Sequence, residues 1–141
     1  MVGLVVVSHS RPLARAAVAL ASEMTRGRPV AVEIAAGLDE ETYGTDALAI
    51  MSAVEAADSG DGVVVLMDLG SAVLSAETAL EMLDSPLRDR VVLCPGPLVE
   101  GLVAAAVAAG SGAERGEVAA EASSGLAGKE SHFGVVGSGD S

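Results

Sequence analysis

The stretch VGLVVVSHSRPLARAAVALASEM, Val2–Met24, changes its periodicity once, and that change decides the fold. Val2–Val7 is a continuously apolar, β-branched run, the pattern of a strand covered on both faces. Ser10 then offers a helix cap, with Pro12 at or near the first helical position. Beyond it Leu13, Ala17, Leu20 and Met24 fall on one helical stripe. A strand buried on both sides that runs straight into a helix is half of a β-α-β unit.

The rest of the chain repeats the motif. Val30–Ile34, Gly62–Met67 and Arg90–Cys94 are further strand-like runs; Glu33 marks the second as an edge strand. Ala47, Ile50, Val54 and Ala57 form a second helical stripe, Val73, Ala76, Leu80 and Leu83 a third, and Val99, Val103, Ala106 and Ala109 a fourth. Ser71 is expected to cap the third helix, Ser85 and Pro86 to close it, and Pro97 to begin the fourth, with Glu100 in its first turn. The order β-α-β-α-β-α-β-α specifies a parallel sheet with right-handed crossovers. The expectation is a doubly wound α/β fold: a four-stranded parallel sheet, order 2-1-3-4, with helices on both faces. Ala113–Ala122 reads as a short helix, so residues 1–122 make one domain. Residues 123–141 are rich in Ser and Gly and are expected to be a disordered tail.

Composition agrees and excludes several functions. Half the residues are hydrophobic, yet there is no Trp and one each of Tyr and Phe, so the core must be Val, Leu, Ala, Ile and Met. A formal charge of −12 with eight Lys and Arg argues against nucleic acid and against an anionic membrane surface. The acidic excess suits a partner with a basic docking face. Cys94 is the single cysteine, so no intrachain disulfide can form, and it reads as a buried small hydrophobe. The start of the chain lacks a basic n-region and a signal cleavage site, and no apolar run approaches the ~20 residues of a membrane span. A cytoplasmic location is the expectation.

In an open parallel sheet, ligands bind beyond the carboxyl ends of the strands, where the connections change face. With order 2-1-3-4 the first and third strands are neighbours, and the residues that follow them, Ser8-His9-Ser10-Arg11 and Asp68-Leu69-Gly70-Ser71, meet there. A neutral imidazole has one ring nitrogen free to attack phosphorus. A carboxylate on the other ring N–H would fix the tautomer and stabilise the charge formed on transfer. His9 is thus a candidate phosphoryl carrier and Asp68 its orienting partner. Backbone N–H groups at a helix start, with the hydroxyls of Ser10, Ser71 or Thr45, could hold phosphoryl oxygens. Gly70 would allow close backbone approach, and Arg11 could meet the phosphate or a partner. From position alone, His9 could equally be a hydrogen-bonded structural residue, Asp68 turn chemistry and Arg11 an exposed helix-start charge. A receiver-like domain phosphorylated on Asp68 lacks its acidic cluster and later Lys, and an FMN binder lacks aromatic residues for the ring.

The stretches GLVVVSHSRPLA (Gly3–Ala14) and MDLGSAVLSAETALEML (Met67–Leu83) resemble the phosphoryl-donor subunits of phosphotransferase-dependent dihydroxyacetone kinases. IAAG, GTDA and PLVEG stand at matching places, and the likeness runs from about Val2 to Ala113. The resemblance implies the mannose-type enzyme IIA fold, usually a homodimer. It implies that His9 takes a phosphoryl group from the histidine phosphocarrier protein and passes it to ADP on a nucleotide-binding kinase subunit, with Asp68 as the acidic residue beside it. It implies no cofactor on this subunit, ADP and Mg²⁺ residing on the partner. Some family members carry phosphocarrier and enzyme I-like domains after this one; their lack here leads to the expectation of a separate donor. The alternative is a IIA domain of a mannose-class sugar phosphotransferase system. Ser10, where those transporter subunits often have Gly, favours the kinase branch.

Overall fold

The computed structural model describes residues 1–26 and 28–133. Four strands, β1 (Gly3–Ser8), β2 (Val32–Ala36), β3 (Val63–Met67) and β4 (Val91–Cys94), form one parallel sheet in the order β2-β1-β3-β4. This is the expected order, with each strand boundary within two residues of its predicted place. The helices are α1 (Arg11–Met24), α2 (Ala47–Ala57), α3 (Gly70–Met82), α4 (Ser85–Arg88), α5 (Leu98–Gly110), α6 (Arg115–Ser123) and α7 (Ala127–His132).

The alternation of side chains along each strand feeds two cores. Leu4, Val6, Val64, Leu66 and Cys94 point to the face covered by α1, α5 and α6. Val5, Val7, Val63, Val65 and Met67 point to the face covered by α2 and α3. The helices after β1 and β3 therefore leave on opposite sides of two adjacent strands. That split creates the crevice at the carboxyl edge of the sheet.

The expected helical stripes are partly rotated. On α1 the sheet-facing residues are Ala14, Ala17 and Ala21, whereas Leu13, Leu20 and Met24 are 46%, 44% and 58% exposed. On α3 it is Ala72, Ala76 and Ala79 that are buried, with Leu83 just beyond, while Val73 and Leu80 are half-buried. On α5 Gly101, Leu102, Ala105, Ala106 and Ala109 are inside and Val99 outside. The strands supply the bulk, so the helices must present small residues to reach close packing. Only α2 keeps its expected face of Ile50, Val54 and Ala57.

Two helix ends also differ. Leu69, not Ser71, occupies the cap of α3, without a side-chain hydrogen bond, because Ser71 lies within the first turn. Ser85 and Pro86 do not simply close the third helix; they open the single turn α4, proline being tolerated at a helix start. Ser10 caps α1 as expected, accepting the Leu13 N–H at 3.3 Å. The stretch expected to be a tail carries α7, whose Lys129 pairs with Glu100 of α5. That cross-element ion pair is a contact no periodicity announces. Residues 134–141 lie outside the described part.

At Gly3 the start of β1 runs against the end of α2. A Cβ there would lie 2.2 Å from the carbonyl oxygen of Ala57. Backbone cannot yield as a side chain can, so Gly3→Ala is expected to destabilise the fold by about 1–3 kcal/mol. Urea denaturation reads this as a lower midpoint at unchanged slope; an unmoved midpoint would refute the close approach.

Candidate functional site

Val7 pairs with Met67 across β1 and β3, so the residues that follow emerge side by side at the carboxyl edge. The Asp68 N–H still donates to the Val7 carbonyl at 3.1 Å, extending the ladder by one step. This brings the Asp68 carboxylate under the His9 loop. Its Oδ1 accepts from the His9 ring at Nδ1 (2.9 Å) and from the Leu69 N–H (2.7 Å). Its Oδ2 accepts the His9 backbone N–H (2.9 Å) and the Ser8 hydroxyl (2.9 Å). Four donors converge on one carboxylate. Burial opposes its ionisation, but the hydrogen bonds from the His9 backbone, the His9 ring, Ser8 and Leu69 outweigh burial. They hold the Asp68 carboxyl below the usual carboxylate range.

An ionised carboxylate at Nδ1 keeps the ring proton there, so in the neutral ring the lone pair is on Nε2. The only protein group recorded on Nε2 among the described residues is the Ser71 hydroxyl, at 2.7 Å. His9 is a quarter exposed and Asp68 only 10%, so the ring rests on a sheltered anchor. Ser71 stands in the first turn of α3, whose leading N–H groups, those of Gly70 and Ser71, have no protein acceptor among the described residues. A helix start with free N–H groups favours an anion. A Cβ at Gly70 would meet no atom within 4 Å, so internal packing does not demand this glycine.

The other predicted residues sit nearby without touching the ring. The Ser10 hydroxyl serves as the α1 cap. The Arg11 Nε donates to the Ala36 carbonyl at 2.9 Å, and its Nη1 lies 3.5 Å from Glu40. Thr45 shares a 2.6 Å hydrogen bond with Ser75, one turn beyond Ser71 on α3. Thr45 thereby ties the β2–α2 loop to the helix that carries the Nε2 partner. The same loop is pinned to the turn after β1 by Gly37 N–H to the Ser8 carbonyl (3.1 Å) and Gly44 N–H to the His9 carbonyl (2.9 Å). Gly37 has φ +67°, a left-handed conformation, and a Cβ would lie 2.8 Å from the Asp39 carbonyl oxygen.

Ser8 and Ser75 were not singled out from sequence. Ser8 had a detectable signal: a polar residue ending an otherwise apolar strand at the switch point. Ser75 had none, since an exposed-looking helical serine is ordinary. Among the described residues no group of three or more His, Cys, Asp or Glu is arranged to hold a metal. No helix there is long and apolar enough to cross a membrane. Cys94 is buried, as expected, against the Ala119 carbonyl and the Ser123 hydroxyl.

Residues 3–119 match the family described as PTS system fructose IIA component. The phosphoryl donor subunit DhaM of the PEP-dependent dihydroxyacetone kinase of Providencia stuartii is 45% identical over 132 residues, covering 92% of this chain and 28% of that protein. The corresponding subunit of Escherichia coli strain K12 is 44% identical over 140 residues, covering 98% and 30%. This chain thus spans less than a third of the length of either. The phosphoryl donor subunit DhaM of PEP-dependent dihydroxyacetone kinase 2 of Listeria innocua is 36% identical over 107 residues, covering 76% of this chain and 85% of its own length. A crystal structure of a protein of unknown function superposes with a TM-score of 0.78 at 31% identity, covering 87% of this chain and 94% of that one.

The depressed carboxyl of Asp68, and that of Asp58 held down by its hydrogen bond to Arg90, set a pH dependence of stability. Each group titrates lower in the folded chain than in the unfolded one. Their stabilisation is complete above the ordinary carboxylate pKa of about 4 and is lost as pH falls through the folded values. The urea midpoint is expected to be flat from neutral pH down to about 5 and to fall below about 4. Asp68→Asn should shallow that acid fall; an acid limb identical to that of the parent would show that Asp68 gains nothing from its four donors.

Proposed function

The chain belongs to the family of PTS system fructose IIA components, and from that premise we propose that it is a phosphohistidine relay. It takes a phosphoryl group onto Nε2 of His9 from the phosphohistidine of a small phosphocarrier protein. It then delivers that group to ADP bound on a nucleotide-binding dihydroxyacetone kinase subunit. The observation that carries this reading is the division of labour on one ring: Nδ1 is tied to Asp68, while Nε2 is left with a single rotatable hydroxyl. The kinase as destination is supported by the names of the relatives, which favour it over a sugar transporter.

The chemistry follows from the geometry. The Nε2 lone pair forms the new N–P bond as the P–N bond of the donor breaks and its electron pair returns to the donor imidazole. The His9 ring gains positive charge, and the Asp68 carboxylate at Nδ1 compensates it. The Ser71 hydroxyl, no longer needed on Nε2, turns to a phosphoryl oxygen. The N–H groups of Gly70 and Ser71 supply further donors, no Lys or Arg being recorded against the ring among the described residues. In the second step a terminal oxygen of ADP attacks the same phosphorus and His9 recovers its lone pair. The resident residues need no cofactor for either step; Mg²⁺ enters with the ADP on the partner. Ser10, Thr45 and Gly70 support the loop and helix start around the phosphoryl group, and Arg11 fastens the β2–α2 loop through Ala36 and Glu40.

We assign this work to the cytoplasm, where phosphocarrier and kinase meet, and to a homodimer. Exposed large apolar residues on the outer faces of the helices, Leu74 at 67% and Leu48 at 58% among them, favour a second copy.

The test is phosphoryl transfer from phosphoenolpyruvate through enzyme I and the phosphocarrier protein, followed by intact mass. One acid-labile phosphoryl group is expected on the parent and none on His9→Gln. Asp68→Ala should still be labelled, but roughly 10–100-fold more slowly. Adding the ADP-loaded kinase subunit should discharge the label into ATP. A labelled His9→Gln protein would remove the nucleophile, and a label that only a sugar-system IIB protein can discharge would move the destination to transport.

A further inference from the structure

We propose that Ser8 is a positioning residue for transfer at His9: its buried hydroxyl locks the Asp68 carboxylate so that Oδ1 stays on Nδ1 of the ring. The inference rests on the relay reading above and names the residue that makes its counter-ion rigid. Ser8 is 0% exposed and is the one buried polar side chain among the described residues. It ends a strand that is otherwise apolar and pairs with Ala36 of β2, so water has no access to its hydroxyl. A desolvated hydroxyl is costly unless its bonds are made.

Here they are made in one direction. The Ser10 N–H donates to the Ser8 Oγ at 3.0 Å, which occupies the acceptor side of the oxygen. The single hydroxyl hydrogen then has two acceptors in reach, the Asp68 Oδ2 at 2.9 Å and the Ser10 carbonyl at 3.1 Å. An ionised carboxylate is the stronger acceptor, so the hydrogen goes to Oδ2. The result is a chain from the cap of α1, through Ser8, to the carboxylate and on to the His9 ring. It crosses from β1 to β3 at the point where their helices diverge.

The consequence is rotational. With both Ser8 and the His9 backbone N–H on Oδ2, the carboxylate cannot swing without breaking two bonds, so Oδ1 is held against Nδ1. When the ring becomes cationic on phosphorylation, its counter-ion is already in place and no reorganisation is needed. Without the hydroxyl, Asp68 keeps three donors and the fold keeps its sheet. The carboxylate becomes freer and easier to protonate. The titratable group facing it is His9; its remaining contacts, Ser8 and the Leu69 N–H, are uncharged.

The experiment uses the full chain, comparing the parent with Ser8→Ala. Three quantities are measured: phosphoryl uptake from the phosphorylated carrier across pH, the carbon-13 titration of the Asp68 carboxyl, and the urea midpoint. Ser8→Ala is expected to take up phosphate roughly tenfold more slowly, with the donor KM unchanged, since a hydrogen bond to a charged group is lost. The Asp68 titration should move upward, and with it the acid limb of the rate profile. Should Ala disturb the fold, Ser8→Cys keeps the side chain's shape with a weaker donor and should show the same changes. A variant that folds and matches the parent in rate, or one that is slow while the Asp68 titration stays put, overturns the inference. A parent that takes up no label defeats the relay reading and with it the role of Ser8. A labelled parent with an unaltered Ser8 variant defeats the Ser8 inference alone.

Discussion

The carboxylate of Asp68 is the joint on which the rest of this site depends. It gathers donors from the end of β1, from the turn that follows it and from the start of α3, while its own N–H continues the β1–β3 ladder. These elements belong to different helical layers, one led by α1 and the other by α3. A parallel doubly wound sheet produces this divergence wherever neighbouring strands send their helices to opposite faces. Here an acid and a histidine occupy the two strand ends, so that the Asp68 carboxylate bridges the gap. The same bridge sets which nitrogen of His9 is free. Position and chemistry are therefore fixed by one group.

Packing around that joint is built from small residues. Alanines face the sheet on α1, α3 and α5, and the valines and leucines of β1 and β3 are fully buried between them, joined by Ile50 and Leu102. The two aromatic residues take no part: Tyr43 and Phe133 are both largely exposed. Short side chains let the helices sit close to the sheet, which brings the start of α3 near enough for Ser71 to reach His9. The larger apolar side chains are displaced to the outside, on Leu13, Leu20, Leu48 and Leu74. A core that is economical in volume thus leaves large apolar side chains on the surface, the feature on which the proposed second copy rests.

The loop after β2 is the third support. It brings no group onto Nε2 of His9, yet Gly37 and Gly44 bond the carbonyls of Ser8 and His9, and Thr45 bonds Ser75 on α3. The turn that carries His9 is consequently held from three sides: by the sheet below, the carboxylate beside it and this loop. Arg11, with its guanidinium committed to the Ala36 carbonyl and Glu40, fastens the base of that loop in place of approaching the ring.

The sequence by itself determined the alternation of parallel strands and helices, the edge position of β2 and the capping of α1 by Ser10, and, once the order 2-1-3-4 is taken, the meeting of His9 with Asp68. These follow from period, chain connectivity and local backbone chemistry, all of which are carried by neighbouring residues. Only the tertiary structure decided which face of α1, α3 and α5 is buried, because a stripe of large residues and a stripe of alanines on one helix look alike until the sheet's own bulk is known. It alone decided that Ser71 faces the ring instead of capping α3, and that Arg11 is held by Glu40. It also drew Ser8, whose place at the end of an apolar strand gave no partner, onto the Asp68 carboxylate. Hydrogen bonds between residues some sixty positions apart depend on distances of a few tenths of an ångström, and no linear pattern encodes those.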